Sequence, residues 1–294
     1  MAAVATPTAE ASASVPQAGS VSPEEREALL RCTCAFVKRL CNQLNLQLLS
    51  QCTALVYLHR FVRVQSFTQH DRFVVGTACV FLAAKVEEDM RRLDEVAKAA
   101  QSIHDFRSQQ QRGNGTANGM SSTSEHETIR TIREKVLLCE RVLLHSLSFD
   151  VSVTHPHIHA FNILKKLRSL GGQKGLSEFR QTSWNFLNDG LFTDVCVRFK
   201  PGEIAAASVL LAYHYLKARD DITNFTKRAL DVVGEELAQN KPTIFDTDRR
   251  RLEQIMREIL HVYEAPRPFT SPGSVKPLLG AADGSQAPKR PRTD

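Results

Sequence analysis

Two segments of this chain carry the same pattern of small and large apolar residues. The first runs from Val75 to Lys85, and the second, from Ile204 to His214, follows at a constant offset of 129 positions. A helix that is apolar on all sides is normally surrounded by other helices, so each segment predicts the central helix of a bundle. A duplicated central helix predicts two stacked bundles of similar design. The copies differ at their last position, where Lys85 corresponds to His214.

The composition is typical of a globular protein that is not inserted in a membrane. Hydrophobic residues make up 42% of the chain and charged residues 24%. The longest largely apolar run, Ile204 to Tyr213, is much shorter than the roughly 18 residues that indicate a membrane span. The first 25 residues contain no Arg or Lys and no secretory pattern. We therefore expect an intracellular protein whose seven cysteines remain thiols.

Helix signals begin after a stretch of small, nearly uncharged residues. Residues 1–21 have the composition of a disordered N-terminus. Ser22-Pro23-Glu24-Glu25 then predicts a helix start, because serine can cap, proline fits the first turn and Glu25 completes a capping box. Further helices are predicted to begin near residues 47, 70, 92 and 127. A polar, glycine-rich stretch at about 107–126 predicts a mobile insertion.

The second half of the chain repeats this organisation. Residues 149–156 predict a short linker, and His155-Pro156 marks the next helix start. Five helices are predicted at about 157–170, 176–196, 201–218, 224–239 and 246–264. The chain is thus predicted to be all-α, with one five-helix bundle in residues 22–150 and a second in residues 151–264. Residues 265–294 predict a flexible basic tail.

Two groups of residues look like metal ligands but are better explained by packing. Cys34 and Cys41 fall within the apolar series of the first helix, which is typical of buried thiols. His155, His157 and His159 stand at a helix start without an evident fourth ligand, which favours capping and packing over zinc. The chain also lacks a glycine-rich phosphate loop and any pairing of Ser or Cys with His that the spacing favours. We expect no metal, no cofactor and no catalytic activity.

Several short motifs on the predicted helices resemble those of one known family. Residues 57–61 read Tyr-Leu-His-Arg-Phe, residues 65–67 read Gln-Ser-Phe, and residues 81–88 read Phe-Leu-Ala-Ala-Lys-Val-Glu-Glu. Further motifs are Cys-Glu-Arg-Val-Leu at 139–143, Leu-Ser-Phe-Asp at 147–150, His-Pro-His at 155–157 and Trp-Asn-Phe-Leu-Asn-Asp at 184–189. Together they resemble the two cyclin boxes of transcriptional cyclins such as cyclins T and K, over about residues 24–264.

The resemblance implies a noncatalytic subunit that binds and activates a cyclin-dependent protein kinase. In that family, the residues matching Lys85 and Glu140 lie side by side and bond the kinase backbone near its regulatory helix. Leu82, Val86 and Phe149 would then supply the apolar part of the contact. The residues alone leave another interpretation open. Lys85 ends a helix, where the helix dipole favours a cation, and Glu140 would be an ordinary charge on an exposed face.

Three arginines have structural interpretations. Arg60 lies in a largely apolar helix and is predicted to bond helix ends or linker residues. Arg91 and Arg92 follow the Lys-Val-Glu-Glu motif, where a solvated turn is the default expectation and a kinase contact the alternative.

The expected process is phosphorylation of the C-terminal domain of RNA polymerase II during transcription elongation, in the nucleus. Lys289, Arg290 and Arg292 form a basic cluster of the kind that nuclear import receptors read. We expect no direct nucleic-acid contact, because the net charge of +6 is modest and lies partly in the tail.

Two alternatives stay open. One is a general transcription factor with tandem cyclin folds that binds DNA and polymerase. Such proteins usually carry an N-terminal zinc ribbon, whereas residues 1–30 contain no cysteine. The other is a splicing or cell-cycle cyclin, for which the Lys85 and Glu140 interpretation holds but the substrate differs.

Overall fold

The computed structural model describes residues 22–67, 69–112, 122–171, 176–219, 227, 231, 234 and 249–264. These residues form ten helices and no strand, which confirms the all-α prediction. The helices are α1 (Pro23–Gln43), α2 (Leu48–Val64), α3 (Arg72–Val86), α4 (Leu93–Arg112), α5 (Ser122–Ser146), α6 (Pro156–Gly171), α7 (Leu176–Gly190), α8 (Val195–Arg198), α9 (Pro201–Lys217) and α10 (Arg249–Glu264). Residues 1–21, 265–294 and most of the helix predicted at 224–239 lie outside the described residues.

The two copies of the duplicated pattern are the central helices of two bundles. Helix α3 packs against α1, α2, α4 and α5, and α9 packs against α6, α7, α8 and α10. Both helices are almost wholly buried, and each lies in its own hydrophobic core. The opening prediction from the duplicated pattern is therefore confirmed.

The two central helices differ in how closely a neighbour approaches. A Cβ placed on Gly76 of α3 would lie only 3.1 Å from Phe36 Cδ1 and 3.2 Å from Val37 Cγ2. Both side chains belong to α1, so side chains of α1 pack directly against the backbone of α3 at this point. Ala205 of α9 occupies the equivalent position and is fully buried with its methyl group. The glycine is thus a packing requirement of the first bundle.

Two helix boundaries predicted from the sequence are wrong. The first concerns the insertion expected at 107–126. Helix α4 continues to Arg112 and α5 already begins at Ser122, so both ends of the expected insertion are helical. Residues 113–121, between the two helices, lie outside the described residues. Gln and Arg, which dominate residues 109–112, are good helix formers, so their polarity did not indicate a loop.

The second wrong boundary is the single helix expected at 176–196. Helix α7 ends at Gly190, and the next three amides form short-range turn bonds, including Thr193 N–H to the Gly190 carbonyl at 3.1 Å. The Leu191 carbonyl is thereby free of the helix and accepts a hydrogen bond from His59 Nε2 at 2.9 Å. Because this contact comes from α2 of the other bundle, local sequence could not reveal the break.

The start of α1 follows the sequence signal. Glu25 N–H donates to Ser22 Oγ at 3.1 Å, and Ser22 N–H donates to Glu25 Oε2 at 3.0 Å. The predicted capping box is confirmed, with Pro23 in the first turn.

Helices α1, α3 and α5 end in the same reversal of the backbone. In each, a non-glycine residue adopts a left-handed conformation, and the next amide donates back to the carbonyl five residues earlier, as in a Schellman motif. The left-handed residues are Asn45 (φ 50°), Glu88 (φ 56°) and Ser148 (φ 52°). These reversals fix the direction in which Asp89 and Phe149 leave their helices.

Residues after α3 fasten the ends of neighbouring helices. Asp89 is buried and accepts a hydrogen bond from the Gln47 amide at 2.7 Å, at the start of α2. Arg91 pairs with Asp89 at 3.0 Å and donates to the carbonyls of Leu44 at 3.0 Å and Asn45 at 3.1 Å. The prediction of a solvated turn at Arg91 is therefore wrong, because this guanidinium holds the carbonyls that the end of α1 leaves unpaired.

One face of α2 holds the linker between the two bundles. Tyr57 Oη donates to the Val151 carbonyl at 2.6 Å. One turn later, Arg60 donates to the carbonyls of Asp150 and Ser152, each at 3.1 Å. The linker has no helix or strand of its own in which these carbonyls could be paired. The prediction that Arg60 bonds linker residues is confirmed.

We expect Arg60→Met to destabilise the chain by about 1–2 kcal/mol, because two charge-assisted bonds to the linker are lost at a partly exposed site. Urea unfolding measures the change, and amide exchange at residues 151–153 should accelerate. Arg130→Met is the matched control, since Arg130 makes an exposed pair with Glu134 inside α5. That change should stay within about 0.5 kcal/mol. Equal effects of the two substitutions would show that Arg60 does not anchor the linker.

Candidate functional site

Lys85 and Glu140, predicted to act together, meet where α3 packs against α5. Lys85 lies in the last turn of α3, where the backbone reversal at Glu88 ends the helix. Its Nζ forms an ion pair with Glu140 Oε1. The two residues are 55 positions apart in sequence, and the packing of their helices brings them together.

The two members of the ion pair differ in exposure. The Lys85 side chain is 36% exposed and the Glu140 side chain only 11%. The alternative interpretation of Glu140 as an ordinary surface charge is therefore wrong. Lys85 Nζ also lies 4.3 Å from the centroid of the Phe81 ring, a favourable cation–π position. The ammonium therefore contacts both Glu140 and Phe81, while part of the Lys85 side chain stays exposed.

The apolar residues near Lys85 and Glu140 in sequence differ in exposure. Phe149 follows α5 directly and is 62% exposed, with its ring edge-on to His145 at 5.2 Å. Leu137, one turn before Glu140, and Leu138 are also exposed. Leu82, in contrast, is 5% exposed and belongs to the first core, so it offers a partner little area. Val86 is half-buried.

Leu137 and Leu138 were missed by the sequence analysis, although a signal existed. The buried face of α5 includes Val136, Cys139 and Leu143, at steps of three and four residues. Leu137 and Leu138 fall outside this series, so two leucines on the other face mark an apolar surface that the core does not explain.

At the matching position, the described residues of the second bundle include no ion pair equivalent to Lys85–Glu140. His214 lies where α9 repeats α3, is exposed and stacks edge-on against Tyr213 at 5.3 Å. Burial lowers the pKa of His214 most, and the nearby cations Lys217 and Arg249 lower it further. The difference between Lys85 and His214 thus reflects different surroundings in the two bundles.

Three further sequence predictions concern the core cysteines, the basic cluster near the C-terminus and membrane spans. Cys34 and Cys41 are fully buried, which confirms their interpretation as core thiols, and burial raises the pKa of Cys41 to about 12. Lys289, Arg290 and Arg292 lie outside the described residues. None of the described helices combines the length and apolarity needed to cross a bilayer.

Comparison with known proteins identifies relatives over most of the chain. The family described as "Cyclin, N-terminal domain" matches residues 8–152. Cyclin-T1-3 of Oryza sativa subsp. japonica is 32% identical over 259 residues, covering 88% of this chain and 48% of the rice protein. Cyclin-K of Danio rerio is 29% identical over 252 residues, covering 85% of this chain and 53% of the fish protein. The chain therefore spans about half the length of these relatives.

Solved structures share the fold at lower sequence identity. A chain of the yeast RNA Pol II CTD kinase CTDK-1 complex superposes with a TM-score of 0.59 at 17% identity, covering 83% of this chain and 67% of that one. A chain of the yeast TFIIK (Kin28/Ccl1/Tfb3) complex gives a TM-score of 0.52 at 21% identity, covering 81% and 86%. At these identities the likeness concerns the fold alone.

Proposed function

We propose, because this chain belongs to the cyclin family, that it binds and activates a cyclin-dependent protein kinase as a noncatalytic subunit. The observation that carries the proposal is the partly exposed Lys85–Glu140 ion pair, which joins the helix that carries Lys85 in its last turn to the helix that leads to the exposed Phe149. Such a surface combines fixed hydrogen-bonding groups with area that the chain's own core leaves uncovered. We further propose that residues 151–264 form a second cyclin box.

The mechanism is a shift of the kinase between two conformations. A protein kinase is active when its regulatory helix brings a glutamate to the lysine that positions ATP. Lys85 would donate to backbone carbonyls near that helix, while Glu140 holds the ammonium in place. Leu137, one turn from Glu140, and Phe149 would cover apolar kinase residues. A partner that binds only the inward position of the helix raises its population without doing chemistry itself.

The finer proposal is a transcriptional role. Among the relatives are cyclins T and K, and a structural neighbour belongs to a complex named as a kinase of the polymerase C-terminal domain. We propose that the kinase partnered by this chain phosphorylates that domain and supports elongation, in the nucleus. The basic cluster of Lys289, Arg290 and Arg292 would serve import.

Affinity purification of the full chain, followed by mass spectrometry and kinase assay, tests both levels. We expect one cyclin-dependent kinase to copurify and to phosphorylate polymerase repeat peptides at least about tenfold faster than histone H1. The reason is that cyclins T and K are among the relatives of this chain.

Two outcomes would count against the proposal at different levels. Absence of any kinase in the purified material would remove the activating role itself. A copurifying kinase that prefers histone H1 would preserve that role and remove the transcriptional one.

A further inference from the structure

Three potential metal ligands meet where the two bundles join. Cys52 comes from α2, His155 from the linker and His157 from the first turn of α6. Cys52 Sγ and one ring nitrogen from each histidine all lie within 4.8 Å of one another. Cys52 is 1% exposed and His155 is 8% exposed. This is the one such group found among the described residues.

The hydrogen bonds around His155 determine which of its nitrogens is free. Thr53 Oγ1 donates to Glu87 Oε1 at 2.6 Å and lies 2.8 Å from His155 Nε2. A hydroxyl has one proton, so His155 Nε2–H must be the donor to Thr53. The Nδ1 of a neutral ring then carries a bare lone pair. No hydrogen-bond partner for that buried Nδ1 exists in the described part of the chain.

The surroundings of His155 resemble those of a metal-bound histidine. A ligating imidazole usually donates its second N–H to a carboxylate, a backbone carbonyl or water, which fixes the orientation of the ring. In this chain the Thr53 hydroxyl oxygen accepts that N–H, and the hydroxyl donates in turn to Glu87.

The separations at His157 are close to those of a tetrahedral site. Cys52 Sγ lies 3.9 Å from His157 Nε2, and Asn188 Oδ1 of α7 lies 3.0 Å from the same nitrogen. Typical zinc bond lengths imply separations of about 3.6 Å for S···N and about 3.3 Å for N···O. The ligand atoms of Cys52, His155 and His157, all within 4.8 Å of one another, would move closer on binding. Asn188 Oδ1 is near enough to His157 Nε2 to bind the same ion.

We propose that Cys52, His155 and His157 bind one Zn²⁺ ion, with Asn188 completing the coordination. On binding, the S–H bond of Cys52 breaks, a Zn–S bond forms and the proton passes to solvent. The ion would join α2, the linker, α6 and α7, and so fix the second bundle on the first. Cys52 lies more than 100 positions before these histidines, so the sequence alone did not reveal it as a further ligand and favoured packing over zinc.

Cobalt substitution in the metal-free full chain tests the proposal, because Co²⁺ reports its ligands in the absorption spectrum. We expect one equivalent of Co²⁺ to produce a sulfur-to-metal charge-transfer band and the intense d–d bands of four-coordination. Binding of either ion to the metal-free chain should release one proton, and Zn²⁺ should displace Co²⁺ with loss of the bands. Trp184, the single tryptophan, packs edge-on against His157 at 4.8 Å between ring centroids, so bound Co²⁺ should also quench its fluorescence.

Ligand variants distinguish this site from others in the chain. Cys52→Ala should abolish the charge-transfer band and weaken Zn²⁺ binding by at least about 100-fold, and Asn188→Ala should weaken it by about tenfold. Cys79→Ala is the matched control, since Cys79 is an equally buried thiol outside the cluster, and it should bind Zn²⁺ as the parent does. If Cys52→Ala does not fold, His157→Gln at the half-buried ligand takes its place.

Absence of the cobalt bands in the parent chain would overturn the proposal. Bands of equal intensity in a folded Cys52→Ala or His157→Gln chain would do the same. These measurements involve no kinase, so their result is independent of the proposed activating function.

Discussion

Exchanging the charges of the ion pair, in the double variant Lys85→Glu with Glu140→Lys, is expected to weaken kinase binding by at least about 100-fold. The exchange restores an ion pair between α3 and α5, so the fold should be retained. A partner, however, would meet a carboxylate where it requires a donor to its carbonyls. A 100-fold loss corresponds to about 2.7 kcal/mol, within the range for a buried, charged interface contact.

Titration calorimetry with the kinase, together with circular dichroism, measures this prediction. The matched control is the double variant Arg198→Glu with Glu258→Arg, which exchanges an ion pair of 2.9 Å between α8 and α10 of the second bundle. We expect this control to bind the kinase as the parent does. Undiminished binding by the Lys85/Glu140 exchange would remove the site assignment, and equal losses in both variants would remove its specificity.

Replacing Gly76 by leucine is expected to destabilise the first bundle by about 3 kcal/mol or more. Even the first carbon of the new side chain would lie 3.1 Å from Phe36 and 3.2 Å from Val37. Because both side chains are fully buried, they cannot move into solvent to make room. The higher helix propensity of leucine would offset only about 1 kcal/mol of the cost. Thermal and urea unfolding measure the loss.

Gly202→Leu is the matched control, since Gly202 also lies in a central helix, at the start of α9. There an added Cβ would meet only His159 Nδ1, at 3.9 Å, among the described residues. We expect a change of less than about 1 kcal/mol. A Gly76→Leu chain as stable as this control would mean that α1 and α3 are not in close contact at Gly76.

The sequence predicted those features that depend on local pattern. The duplicated apolar pattern identified both central helices, and the capping box fixed the start of α1 to the residue. Such features need only near neighbours in the chain. Lys85 and Glu140 are 55 positions apart and lie on different helices, so no helical periodicity relates them. Their contact could be predicted only from the family resemblance.

Features that depend on distant residues were missed for the same physical reason. The break after Gly190 is explained by a bond to His59, and the role of Arg91 by the unpaired carbonyls of α1. Neither partner is close in sequence. The exposure of Leu137 and Leu138, in contrast, could have been predicted from the sequence. Neither residue falls on the repeat of three and four positions that forms the buried face of α5.

The central position of α3 has a consequence for how Lys85 meets a partner. Because α3 is enclosed by four helices, we expect its buried amide protons to be among the slowest in the first bundle to exchange with deuterium. The helix that carries Lys85 is then largely ordered before a partner binds. Docking would lose little backbone entropy there, and more of the ordering cost of association would fall on the exposed side chain of Phe149.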